Sequence, residues 1–93
     1  MKVRVEYSSQ LGKLTGCGDE VVELDAACTL RALVAALAEK HGTAFRSFFL
    51  DSSGEPRPTV LVFVNSEQMQ WDADLLLKDG DAVAFLSAIA GGV

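Results

Sequence analysis

Cysteine and histidine are scarce in this chain of 93 residues: it holds two cysteines and one histidine. Structural zinc takes four ligands, and Cys17, Cys28 and His41 supply only three scattered ones. An iron–sulfur cluster on four thiolates is excluded within one chain for the same reason. Both cysteines are therefore expected as free thiols. Cys17, between Gly16 and Gly18, is expected to be exposed. No histidine or helix start beside it marks it as a nucleophile. Proline is rare, at two residues, and 49% of the chain is hydrophobic, which excludes a disordered segment. A long apolar run is also missing: nothing approaches the ~20 residues of a membrane span. Met1-Lys2-Val3-Arg4-Val5-Glu6 lacks the apolar centre of a signal peptide. A cytoplasmic protein without membrane contact is the expectation. Basic side chains are outnumbered, 8 against 13 acidic, for a net charge of −5. Phosphate neutralisation needs a clustered Lys/Arg face, so nucleic-acid binding is not expected.

The charge is uneven. Residues 66–93 hold Glu67, Asp72, Asp74, Asp79 and Asp81 against Lys78 alone, a net of −4. Such a region suits a basic protein surface, or serves only as a solvated acidic face.

What is present is a clear alternation of structural signals. Val3, Val5 and Tyr7 alternate with Lys2, Arg4 and Glu6, the period of a strand buried on one face. Ser8 to Gly18 reads as a long, mobile polar loop, and Glu20-Val21-Val22-Glu23-Leu24 as a second strand. Leu30, Leu33, Val34 and Leu37 fall at i, i+3, i+4 and i+7, one stripe of an α-helix. Thr29 is placed to cap its start, and Lys40, His41 and Gly42 to close its end. His41 is read as a helix-end residue rather than a catalyst. Phe45, Phe48, Phe49 and Leu50 close the edge of the core, and residues 51–58 form a turn-rich loop. Val60-Leu61-Val62-Phe63-Val64 and Ala82-Val83-Ala84-Phe85-Leu86 are apolar strands, with a small extra strand near residues 67–71. The order is β-β-α-β-β. One helix cannot cover both faces of such a sheet. One face should carry an apolar patch for a partner, unless Phe48 or Trp71 covers it.

The chain closes on Ala90-Gly91-Gly92-Val93. Two adjacent glycines make a thin, flexible thread, able to enter a narrow tunnel and present a carboxylate there. Ordinary fraying is the other reading.

These features together resemble the ubiquitin-like sulfur carriers, above all the MoaD family, with ThiS more distant. The resemblance rests on Leu14-Thr15-Gly16 before Glu20-Val21-Val22-Glu23-Leu24, and on the helix Thr29-Leu30-Arg31-Ala32-Leu33-Val34-Ala35-Ala36-Leu37. It rests further on Val62-Phe63-Val64-Asn65, on Leu77-Lys78-Asp79-Gly80-Asp81-Ala82-Val83 and on Ala90-Gly91-Gly92. It implies an α+β, β-grasp fold: a mixed four- to five-stranded sheet on one main helix, spanning residues 1–88, with a flexible tail over 89–93. It also implies a carrier rather than an enzyme. A MoeB/ThiF-like activating enzyme would use ATP to adenylate the carboxylate of Gly92, and a sulfur donor would convert it to a thiocarboxylate. The sulfur would pass to a MoaE-like large subunit of molybdopterin synthase, or to another acceptor enzyme of a parallel pathway. The carrier itself binds no cofactor. Gly91 and Ala90 give slimness, and Phe63, Phe85 and Leu86 are the expected docking residues, although strand alternation also admits core positions for some of them. Val93 departs from the pattern. While it remains, Gly92 has no free carboxylate, so a processing protease is expected; an untrimmed subunit and activation of Val93 itself are the alternatives. A ubiquitin-like modifier joined through Gly92 to lysines, and a non-covalent interaction module, remain as further readings.

Overall fold

The computed structural model describes residues 1–8, 10–25, 28–57, 59–72 and 74–87. Ala90, Gly91 and Gly92, and the boundary between domain and tail, lie outside the described residues.

The first strand, β1 (Lys2–Tyr7), carries the expected alternation: Val3 and Val5 are fully buried and Tyr7 nearly so, while Lys2, Arg4 and Glu6 face outward. It continues into α1 (Gln10–Thr15), then β2 (Asp19–Glu23). The main helix α2 (Leu30–His41) buries Leu30, Leu33, Val34 and Leu37, as its spacing predicts. Thr29 Oγ1 accepts a hydrogen bond from Ala32 N at 3.2 Å, satisfying one free N–H of the first turn. Gly42, at φ 87°, ends it in a conformation that other residues resist. A short helix, α3 (Thr43–Phe49), follows at once, then β3 (Val60–Val64), β4 (Glu67–Met69) and β5 (Ala82–Ser87).

The five strands form one mixed sheet in the order β2-β1-β5-β3-β4. The last strand lies at the centre, parallel to β1 and antiparallel to β3. All three helices contribute to one core, built from Leu11 of α1, the stripe of α2, Phe45 and Phe49 of α3, and the inward residues of the sheet. Phe45 and Phe49 stack at 5.4 Å, and Phe49 meets the edge of Phe85 at 4.8 Å.

Three expectations are corrected. Residues 8–18 are not one open loop: they contain α1, because Leu11 is wholly buried and Thr15 Oγ1 donates back to Leu11 O at 3.0 Å. The phenylalanine cluster is itself a helix, with Phe45 and Phe49 one turn apart and both turned inward. Cys17 is only partly exposed and packs against the core.

Candidate functional site

Strand alternation divides the sheet into two faces. On the side away from the helices, register brings Leu61 opposite Leu86 and Phe63 opposite Ala84. Each of these side chains is half-buried, and none packs against the core. Together they make an apolar strip along the centre of the open face. The other half of that face is polar. Arg4 pairs with Asp19 across β1 and β2 and approaches Glu6 at 3.9 Å. Only Val21, 62% exposed, interrupts the charges there.

Phe63 and Leu86 therefore share the open face on neighbouring strands. Phe85 does not. It pairs with Val62 on the opposite face and is 0% exposed, packed on Phe49. Consecutive residues of a strand point to opposite sides, so Phe85 and Leu86 cannot share a surface; Phe85 is a core residue. Leu61, which the sequence reading did not single out, takes its place in the strip. The signal was available: Leu61 and Phe63 are i and i+2 on one strand. Trp71 and Phe48 pack against the core, and Trp71 borders a pocket with Leu61 at one end of the strip.

The sequence motifs at the other end of β5 are structural. Asn65 (φ 51°) and Ser66 (φ 72°) form the two-residue turn between β3 and β4, where positive φ at both positions suits the strand twist. Asn65 Nδ2 donates to Asp81 Oδ1 at 3.0 Å, and Asn65 Oδ1 accepts from Ala82 N at 2.9 Å. Lys78 N donates to the second oxygen of Asp81 at 2.8 Å. These bonds, that of Lys78 first and that of Asn65 next, hold the Asp81 carboxyl below the usual carboxylate range. Lys2 N donates to Asp79 Oδ1 at 2.7 Å, tying the same turn to β1. The Val-Asn and Asp-Gly-Asp motifs are thus two halves of one lock that sets the start of β5.

The one histidine belongs to a second lock. Glu20, on the helix side of β2, accepts hydrogen bonds from the Tyr7 hydroxyl and Lys40 Nζ, and its Oε2 lies 2.6 Å from His41 Nε2. Burial pushes the Glu20 carboxyl up. The bonds from Lys40, Tyr7 and His41 outweigh it and bring the pKa down to about 2. Burial, and donation to a carboxylate, push the Tyr7 hydroxyl up. His41 is a helix-end residue, and its Nε2 contact with Glu20 ties the end of α2 to the sheet. A third clamp joins Trp71 Nε1 and Arg31 to the two oxygens of Glu55, each at 3.0 Å.

Among the described residues there is no group of three or more His, Cys, Asp or Glu side chains placed to hold a metal ion. No helix there is long and apolar enough to cross a membrane. The described surface thus offers an apolar strip on the open face and three side-chain locks elsewhere on the domain.

Comparison with known proteins agrees with this architecture. SAMP1 from Haloferax volcanii has the same fold, with a TM-score of 0.87 at 22% identity, over 99% of this chain and 100% of that one. The putative molybdopterin converting factor subunit 1 from Pyrococcus furiosus is 27% identical, with a TM-score of 0.75 over 96% of this chain and 99% of that one. A chain of the Amycolatopsis orientalis BexX/CysO complex is also 27% identical, with a TM-score of 0.71 over 97% and 99%. No curated protein matches. The ThiS family model matches residues 5–92, from within β1 through both glycines. With that span and this strand order, the chain belongs to the ThiS family, ubiquitin-like β-grasp proteins that act as small carriers rather than catalysts.

Proposed function

We propose that the chain is a sulfur carrier of the MoaD/ThiS type, and that Gly92 is its reacting residue. The observation that carries this reading is the extent of the family match: it runs through Gly91 and Gly92 and stops before Val93. Hydrolysis of the Gly92–Val93 peptide bond by a processing protease leaves a carboxylate on Gly92. A carboxylate is a poor electrophile. A MoeB/ThiF-like activating enzyme supplies ATP, the carboxylate attacks the α-phosphorus, and pyrophosphate leaves. A donor of sulfide-level sulfur then attacks the acyl-adenylate carbonyl, expelling AMP and leaving a thiocarboxylate. The sulfur bonds to a substrate held by an acceptor enzyme, a MoaE-like large subunit in the MoaD case, and water cleaves the resulting acyl–sulfur bond to restore the carboxylate. Ala90 and Gly91 keep the segment before Gly92 slim. The strip of Leu61, Phe63 and Leu86 serves as the docking surface for these partners. The pathway is cytoplasmic, and ATP belongs to the activating enzyme.

Kinship with the Pyrococcus converting-factor subunit supports the molybdopterin branch, and the BexX/CysO complex supports delivery to another acceptor. Intact-mass measurement of the protein from its own cells tests the reading. The expected species ends at Gly92, and part of it is heavier by the difference between sulfur and oxygen. A population retaining Val93 throughout counts against sulfur carriage. Isopeptide-linked conjugates on a denaturing gel would instead favour a modifier role.

A further inference from the structure

Two large hydrophobic side chains stay mostly exposed among the described residues, Val21 and Leu76. Val21 stands alone among charges. Leu76 is held outward by its backbone: Leu30 N donates to Leu75 O at 2.8 Å and Leu77 N to Cys28 O at 2.9 Å, an antiparallel bridge of Thr29 with Leu76. Alternation then turns Leu77 into the core, 3% exposed, and Leu76 out, 60% exposed. Its exposure is built into a fastened segment rather than left by a loose loop.

Leu76 borders a groove of about 330 Å³ whose apolar walls also include Val64, Met69 and Leu75. Its rim carries Glu67, Asp81 and one cation, Lys78. One wall is β4, which pairs with β3 and with nothing on its outer side among the described residues. Residues 66–93 hold five carboxylates against that one lysine. The groove lies at the start of β5, and the chain continues to Gly92 from the other end, five residue steps of ~3.3 Å away.

We propose that this groove is a second protein-binding site. It takes an extended basic segment of a partner, which sets one apolar side chain between Met69 and Leu76 and directs its cations to Glu67 and Asp81. Charge decides among occupants. A second copy of this chain, at −5, a nucleic acid or an anionic membrane would be repelled by the acidic rim. A free strand edge beside apolar pockets suits an extended peptide. Because the site is remote from the end of β5, a partner seated there leaves the chain end and the open sheet face free for other enzymes. The inference does not depend on sulfur chemistry.

The test is titration of the isotope-labelled full chain with a short peptide alternating lysine with leucine and valine, beside a counterpart with glutamate for lysine. At low salt the lysine peptide should move the amide signals of residues 67–69 and 75–76, and binding should weaken several-fold toward ~0.3 M salt. Leu76→Ser should weaken it about fivefold with the spectrum otherwise intact, and Val21→Ser should leave it unchanged. Shifts confined to Leu61, Phe63 and Leu86 would overturn the proposal. Equal binding of the glutamate peptide, indifference to Leu76→Ser, or no shift at all would overturn it as well.

Discussion

The two faces of the sheet are made from the same strands, yet they are built to different standards. On the helix side, Val3, Val5, Val83 and Phe85 are completely enclosed, and every large side chain has a fixed neighbour. On the open side, Leu61, Phe63 and Leu86 lie half-covered beside a band of paired charges. The enclosed face sets stability. The open face is apolar beyond what stability needs, and that surplus is what a partner can use.

Substitutions that separate the faces sharpen the contrast. The largest effect is expected at Phe85. Phe85→Ala empties a site against Phe49 and should cost about 3–5 kcal/mol, read from denaturant midpoints. An effect below about 1 kcal/mol would erase the distinction between Phe85 and Leu86.

Glu20 comes next, on the order of 2 kcal/mol at neutral pH. Its folded pKa of about 2 lies below the ordinary 4.5, so the folded state favours the ionised form. That contribution is fully present above about pH 4.5 and fades as pH falls toward 2. Glu20→Gln should therefore lower thermal stability at pH 7 and flatten the loss of stability over that acid range. Melting curves taken across the range check both expectations.

Asn65→Ala removes two hydrogen bonds and places alanine at positive φ, for a cost of about 1–2 kcal/mol. The effect should appear as faster amide exchange in β4 and at the start of β5. The smallest change in stability is expected at Phe63. Phe63→Ser should shift the unfolding free energy by less than about 1 kcal/mol, yet weaken association with an activating enzyme at least about tenfold. Unchanged association would remove the strip from the docking role, leaving Phe63 with no function in the open face.

How far the sequence revealed this depended on the range over which each signal acts. The stripe of α2, the alternation of β1 and the helix end at Gly42 are local, and they read correctly. Helix α1 was hidden because Gly12 and Thr15 are poor helix formers; the burial of Leu11 holds it, and that is a tertiary effect. Helix α3 was hidden by its length, although Phe45 and Phe49 stood at helical spacing. Side-chain direction was the harder problem. In an apolar run such as Ala82–Leu86 nothing marks which alternate set faces inward, so Phe85 and Leu86 read alike although they point apart. The Glu20 network was out of reach altogether, since its members come from β1, β2 and α2.

The parallel pairing of β1 with β5 joins the first strand of the chain to the last. During synthesis, therefore, the sheet cannot close until Ser87 has cleared the ribosome, and unfinished products lack their middle strand. Contacts so distant along the chain make assembly slow and all-or-none. A chain cut short before β5 would lack its central strand, and with it Leu86 of the open face.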